Sequence, residues 1–290
     1  MWRFRRWLAC CALIASALPA HAESLKVVAS FSILGDLVRN VGGDSINVTT
    51  LVGPDSDAHV YTPTPADTKR IADAKLIIVN GLGFEGWLPR LVQSSGSKAK
   101  IVTATDGITP LRLGSDADPH AWQSVGNAKI YVGNIRDALA AADPANTGQY
   151  RANAEAYLAK LDTLDRDVRD AMAKIPPARR KVISTHRAFG YFAASYGIEF
   201  IAPLGVSTES EPSARDIAKI ITQVKQAKIP AVFLESITDP RLMQRISAET
   251  GARVGGTLYS DGLTGEKGDA PTYIDMLRHN IKALTRALGD

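Results

Sequence analysis

The sequence predicts an α/β protein of two lobes, each with a central, mostly parallel four-stranded sheet flanked by helices, joined by one long helix. Three observations carry the prediction. Short apolar, β-branched runs alternate with amphipathic helical stretches, as in parallel sheets covered on both faces. The alternation occurs twice, without an internal sequence repeat. Between its two occurrences a helical apolar period runs unbroken from Pro144 to Ile175.

Residues 1–22 stand apart from this scheme. Arg3, Arg5 and Arg6 precede an apolar run, Trp7 to Leu18, and Ala20-His21-Ala22 forms a cleavage signal before Glu23. This is the pattern of a secretory signal peptide, too short for a membrane span. Arg5-Arg6 lacks the surroundings of a twin-arginine signal. Cys10-Cys11 has most of the apolar run after it instead of before it, against a lipid-attachment site. Loss of the signal lowers Lys+Arg from 34 to 31 against 30 Asp+Glu, a net charge of +1. No basic block remains to suggest nucleic acid. Both cysteines leave too, which excludes disulfides and Cys-ligated zinc or iron–sulfur sites.

The first lobe is expected over residues 23–143. Leu25 to Ser30 reads as its first strand, and Ile33 to Val41 as a helix closed by Gly42-Gly43. Asn47 to Val52 is the second strand; Gly53-Pro54-Asp55 turns the chain toward Asp57-Ala58-His59. Thr64 caps a helix with Pro65 at its first position and Asp67 in its first turn. Leu76 to Asn80 is a third strand, apolar on both faces, and Lys100 to Thr103 a fourth. Asp118-Pro119-His120 then precedes a helix from Ser124 to Ala142.

Residues 144–177 are expected to form the linking rod. Asp143 is placed as N-cap and Pro144 as the first helical residue. Tyr150, Ala154, Tyr157, Leu161, Leu164, Val168, Ala171 and Ile175 supply one apolar stripe, and Pro176-Pro177 ends it.

The second lobe is expected over 178–290. Its strands are Lys181 to Thr185, Ile198 to Ala202, Ala231 to Glu235 and Arg253 to Leu258. Ser213 and Asp216 open one helix, Asp239-Pro240 another that stops at Gly251, and Thr272 to Leu288 closes the chain.

Four polar residues fall just past strand ends: His59, His120, His186 and Asp261. Open α/β sheets bind ligands outside the carboxyl ends of their strands. Facing lobes would therefore bring together three imidazoles and one carboxylate, a divalent-metal set. Of the five histidines, His21 goes with the signal, and only His279, read as a solvated helix residue, stands outside the pattern. Asp57 and Asp118, each two residues before a ligand candidate, either orient the imidazole or cap the turn. Glu85, Glu209 and Glu211 are reserve ligands should Asp261 not be one; Trp122 and Phe189 are candidates to shield the site. Gly81-Leu82-Gly83-Phe84-Glu85-Gly86 spells a dinucleotide fingerprint, with Asp106 20 residues after Gly86, but it follows the third strand instead of the first. A Gly-rich loop that lets backbone approach the cleft is the plainer reading.

With these motifs in place, the mature chain resembles the metal-binding solute-binding proteins of bacterial ABC transporters, the ZnuA-like or TroA-like zinc/manganese group. The resemblance rests on Asp57-Ala58-His59-Val60-Tyr61, Asn80-Gly81-Leu82-Gly83-Phe84-Glu85, Asp118-Pro119-His120-Ala121-Trp122, His186-Arg187-Ala188-Phe189-Gly190-Tyr191-Phe192 and Tyr259-Ser260-Asp261. It implies a periplasmic, non-enzymatic, monomeric protein holding a single metal on His59, His120, His186 and Asp261. It also implies delivery to the membrane permease of an ABC importer, with room for a metallochaperone that loads the site. Gly107 to Pro119 is short and holds no His, so the His-rich loop of many zinc members is absent. Manganese members often carry Glu where His186 stands, so Zn²⁺ is the expected metal and Mn²⁺ the alternative. A competing reading is an exported zinc metallohydrolase with three His ligands and Asp261 as general base. A third is a purely structural metal.

Overall fold

The computed structural model describes residues 24–289; the expected signal peptide lies outside them. The first lobe runs β1 (Leu25–Phe31), α1 (Ser32–Gly42), β2 (Ile46–Val52), α2 (Pro65–Asp73), β3 (Leu76–Val79), α3 (Leu88–Ser95), β4 (Lys100–Thr103), a hairpin of β5 (Arg112–Leu113) and β6 (Asp116–Ala117), and α4 (Val125–Ala142). The long helix is α5 (Thr147–Ala173). The second lobe follows with β7 (Lys181–Ile183), α6 (Gly190–Tyr196), β8 (Glu199–Ile201), α7 (Ala214–Gln226), β9 (Ala231–Glu235), α8 (Arg241–Thr250), β10 (Arg253–Leu258) and α9 (Tyr273–Leu288).

The four-stranded sheets are ordered β2-β1-β3-β4 and β8-β7-β9-β10, with every pair parallel. Each lobe thus places its second, first, third and fourth strands in the same order. That order puts the switch point, where successive connections leave in opposite directions, between the first and third strands.

The β-branched runs serve two faces. In β3, Leu76 and Ile78 point into one core while Ile77 and Val79 point into another. The second core is private to the first lobe and includes Ile71 of α2 and Leu91 of α3. The second lobe has its own outer core around Ile220, Val232 and Met243. The inner faces of both sheets share a single core that also takes in α1, α4, α5 and α9.

Helix α5 packs one stripe into that shared core. It is 27 residues long, about 40 Å at 1.5 Å per residue. Tyr150, Ala154, Tyr157, Leu161, Leu164 and Val168 are buried along its length. Its last turn buries Met172 in place of the expected Ala171, because the stripe drifts as 3.6-residue turns accumulate. The start also differs from expectation. Pro144–Asn146 forms a separate 3-10 turn. The Asp143 carboxylate accepts from Tyr150 Oη at 2.6 Å and Asn146 Nδ2 at 2.7 Å, so it ties that turn to the helix instead of capping the first residue.

Other helix starts follow their sequence signals. Thr64 and Asp67 form a reciprocal capping box on α2, and Ser213 Oγ accepts the Asp216 amide at the start of α7. In β10 a register shift between Val254 and Thr257 falls on Gly255-Gly256. A side chain at Gly255 would stand 2.5 Å from the Phe233 ring, so glycine is what lets that ring reach the sheet.

Candidate metal centre

His59 hangs on the loop after β2. Asp57 Oδ1 accepts the His59 amide at 2.8 Å, and Asp57 Oδ2 accepts Thr208 Oγ1 from the other lobe at 2.6 Å. Asp57 therefore caps the turn and meets the opposite lobe. His120 follows the β5–β6 hairpin. Asp118 Oδ1 faces both its amide, at 3.0 Å, and its Nδ1, at 2.8 Å, so this carboxylate caps the turn and orients the ring. A β-carbon on Gly190 would come 2.5 Å from Asp118 Oδ2, so glycine there lets the second lobe close onto this carboxylate.

His186 follows β7, and its Nδ1 lies 2.5 Å from Glu235 Oε2 at the end of β9. Asp261 follows β10. The carbonyl before it, Ser260 O, accepts Trp122 Nε1 at 2.8 Å and Gln123 Nε2 at 2.7 Å from the first lobe. The turn that carries His120 thus also grips the loop that carries Asp261.

The four side chains converge. His120 Nε2 lies 3.2 Å from His59 Nε2 and 3.3 Å from His186 Nε2. Asp261 Oδ2 is 3.0 Å from His186 Nε2 and 3.4 Å from His59 Nε2; Oδ1 is 3.5 Å from His120 Nε2. A tetrahedron with metal–nitrogen bonds of 2.0–2.1 Å has edges of about 3.3–3.4 Å, so the donors are already at ligand spacing. His120, His186 and Asp261 are buried, and His59 retains 9% exposure. Both Asp261 oxygens are buried without a hydrogen-bond partner. Such a carboxylate is costly unless a positive charge faces it.

The electrostatics agree. Burial disfavours charge on His186, but Glu235 and Asp261 outweigh it and hold its pKa well above the ordinary value. Burial likewise opposes charge on Asp261, but His186 and His120 prevail and hold its carboxyl well below the usual range. The centre demands positive charge next to Asp261.

Several sequence expectations are corrected. Glu85 is buried, but it accepts Ser30 Oγ and the Asn80 and Gly81 amides and stays outside the cluster. Glu209 and Glu211 are exposed and stay outside it too. In the Gly81–Gly86 loop the Gly81 amide goes to Glu85 and the Phe84 amide to the Gly81 carbonyl, so both are already taken; Gly81 and Gly83 sit at φ 86° and 82°. Trp122 does pack on His120, with ring centres 5.2 Å apart. Phe189 instead stacks on Phe200, and Phe84 takes its expected place against His59 at 4.8 Å. His279 is half-buried rather than solvated, its Nε2 3.1 Å from Thr257 O and its ring against Tyr259. Glu235 is the residue sequence reasoning missed. Its one signal is an acid closing the apolar run Ala231-Val232-Phe233-Leu234.

A surface cavity of about 530 Å³ reaches His59, lined also by Phe84, Arg112, Asp116, Val206 and Glu209. It draws on both lobes and marks the side from which the cluster is approached. A larger cavity, about 1140 Å³, lies at the far end of β1 beside Leu25 and Asn146 and includes none of the four residues.

Two matching parallel sheets that face each other across a buried cluster of three imidazoles and a carboxylate, with one long helix between them, define a two-lobed solute-binding protein. The family model described as zinc-uptake complex component A, periplasmic, matches residues 27–287. The chain belongs to that family of metal-binding solute-binding proteins, whose members are not enzymes. It is 36% identical to the iron-binding protein YfeA of Yersinia pestis, over 92% of this chain and 88% of that one. It is also 36% identical to the manganese-binding lipoprotein MntA of Halalkalibacterium halodurans, over 92% and 89%. Among solved structures it is similar to the periplasmic zinc binding protein TroA of Treponema pallidum, with a TM-score of 0.88 and 30% identity over 92% of this chain and 100% of that one.

Proposed function

We propose that this chain captures one divalent transition metal with His59, His120, His186 and Asp261 and delivers it to the membrane permease of an ABC importer. The observation that carries the reading is the Asp261 carboxylate, buried, without a hydrogen-bond partner, and facing three Nε2 atoms. Asp118 and Glu235 hold the Nδ1 positions of His120 and His186, which leaves Nε2 as the metal-facing atom of each ring. Every donor is supplied by the protein, the pattern of a closed site without a substrate position. This favours cargo over catalysis, and the hydrolase reading is not retained.

Zn²⁺ is the proposed cargo and Mn²⁺ the next candidate. Three imidazole nitrogens suit the former better than the harder ion. The iron, manganese and zinc named in the relatives make a divalent ion the shared feature. The same proposal divides the chain into lobes 23–143 and 178–290 about a linker at 144–177. It also places a mature monomer in the periplasm, loaded directly or by a metallochaperone.

Elemental analysis of purified protein, followed by competition titration against chromophoric chelators, tests it. The expected result is one divalent metal per chain, tightest for Zn²⁺, with binding lost in His59→Ala, His120→Ala and His186→Ala. A wild-type protein that takes up no divalent metal, or variants that bind as it does, would overturn it. A metal-free form that refuses to fold would instead indicate a structural metal.

A further inference from the structure

Glu235 is a buried carboxylate that receives four hydrogen bonds from two other chain segments. Its Oε1 accepts the Thr185 amide at 2.7 Å and the His186 amide at 3.0 Å. Its Oε2 faces His186 Nδ1 at 2.5 Å and accepts Ser260 Oγ at 3.1 Å. Thr185 and His186 leave the end of β7, Glu235 itself ends β9, and Ser260 follows β10 immediately before Asp261. One side chain therefore fixes the backbone of the His186 turn, the rotation of the His186 ring and the loop that presents Asp261. It does so from 3% exposure, where no water competes for its oxygens.

We propose that Glu235 is the positioning residue of the metal centre. It selects the His186 form with Nε2 turned to the metal and holds both second-lobe donors at ligand spacing before the metal arrives. This rests on the proposed metal-binding reading. The chemistry follows from what the two Glu235 oxygens can do. A carboxylate only accepts, so the ring nitrogen facing Oε2 must carry a proton, and once the ring gives up its second proton to become neutral the lone pair is left on Nε2. The Oε1 atom already serves two backbone amides, so it cannot turn round without leaving both bare. A Gln at this position keeps size and shape. Its carbonyl would stay on the two amides, and its NH₂ would meet Nδ1. The ring would then have to offer Nδ1 as acceptor and carry its proton on Nε2, in the path of the metal.

The test uses Glu235→Gln in the full mature chain, with two readouts. The first is the ¹⁵N shifts of the His186 ring in metal-free protein. The expected result is a protonated Nδ1 in wild type and a bare Nδ1 with protonated Nε2 in the variant. The second is chelator competition with Zn²⁺, where the variant is expected to bind about 10–100-fold more weakly. A side chain that merely filled space would leave the ring protonation pattern unchanged. A bare Nδ1 in the metal-free wild type overturns the proposal even if the variant fails to fold. So does a folded Glu235→Gln that binds Zn²⁺ as wild type does. Failure of the wild type to bind any divalent metal defeats the functional reading instead, and the ring shifts remain a separate measurement.

Discussion

The two lobes share a strand order but use their switch points differently. In the second lobe the ends of the first and third strands, β7 and β9, supply His186 and the carboxylate that orients it. In the first lobe the corresponding ends of β1 and β3 supply Ser30 and Asn80, and both donate to Glu85. Each lobe thus buries a glutamate across its switch point, but only one of these meets an imidazole. The first lobe draws its donors from later loops: His59 after β2 and His120 beyond β4. The topology creates the place where polar groups converge, and the side chains present decide whether that place binds or braces.

The largest effects should come from the donors themselves. Asp261→Ala removes the only charged ligand and should weaken metal binding beyond the roughly 100-fold that outer partners control. His59→Ala, on the opposite lobe, should weaken it comparably, because the proposed ion would take donors from both lobes. Chelator competition that found one lobe's donors dispensable would contradict a site shared between the lobes.

Glu85→Ala tests the bracing half of the comparison. It leaves Ser30 Oγ and the Asn80 and Gly81 amides without their acceptor. Bare buried donors cost about 1–3 kcal/mol each, partly offset because burial already disfavours the Glu85 charge and raises its pKa. A net loss of about 3 kcal/mol in urea unfolding of the metal-free protein is expected. Metal affinity should change less than in Glu235→Gln; a larger change would mean that both glutamates serve the ion.

The pH dependence should be smaller and of defined sign. Glu235 and Asp261 outweigh the effect of burial and hold the His186 pKa well above that of an ordinary imidazole. Its proton stabilises the metal-free protein fully below the unfolded pKa, and that contribution is lost as pH rises through the folded value. Metal needs the proton gone, so affinity should rise by about tenfold per pH unit across the window above 6.5 and level off past the raised pKa. Titrations at successive pH values that gave a flat profile would contradict the charge assigned to this ring.

The smallest effect belongs to an exposed cap. Ser213→Ala removes the side-chain acceptor at the start of α7 and should cost about 1 kcal/mol in thermal or urea unfolding. Asp67→Ala should cost more. Its carboxylate is fully buried and serves Tyr61, Thr64 and Arg70 at the start of α2. Equal losses would mean that the two lobes cap their helices with equal strength.

Much of this was legible in the residues because burial leaves periodic marks. The run Leu76 to Val79 announces a strand with two dry faces, and the cap sequences at Thr64 and Ser213 mark helix starts that the chain obeys. The donors could be found by counting, since three of five histidines share one local setting. What escaped notice depends on contacts between distant segments. Glu235 acts on a ring 49 positions away, and nothing within β9 reveals that partner. The hairpin β5–β6 has only two residues per strand, too few for any alternation to register. Phe84, not Phe189, covers His59 because the Gly81–Gly83 turn bends it inward, a matter of backbone angles that spacing does not encode.

The core that runs unbroken beneath both sheets and around α5 has a thermodynamic consequence. Neither sheet can be cut out with its inner face still covered, so the two lobes should melt as one cooperative unit despite their separate appearance. An ion held at their junction then stabilises every helix and strand at once. At a free concentration 100 times the dissociation constant that amounts to about 2.7 kcal/mol, spread over the whole chain rather than the cleft alone.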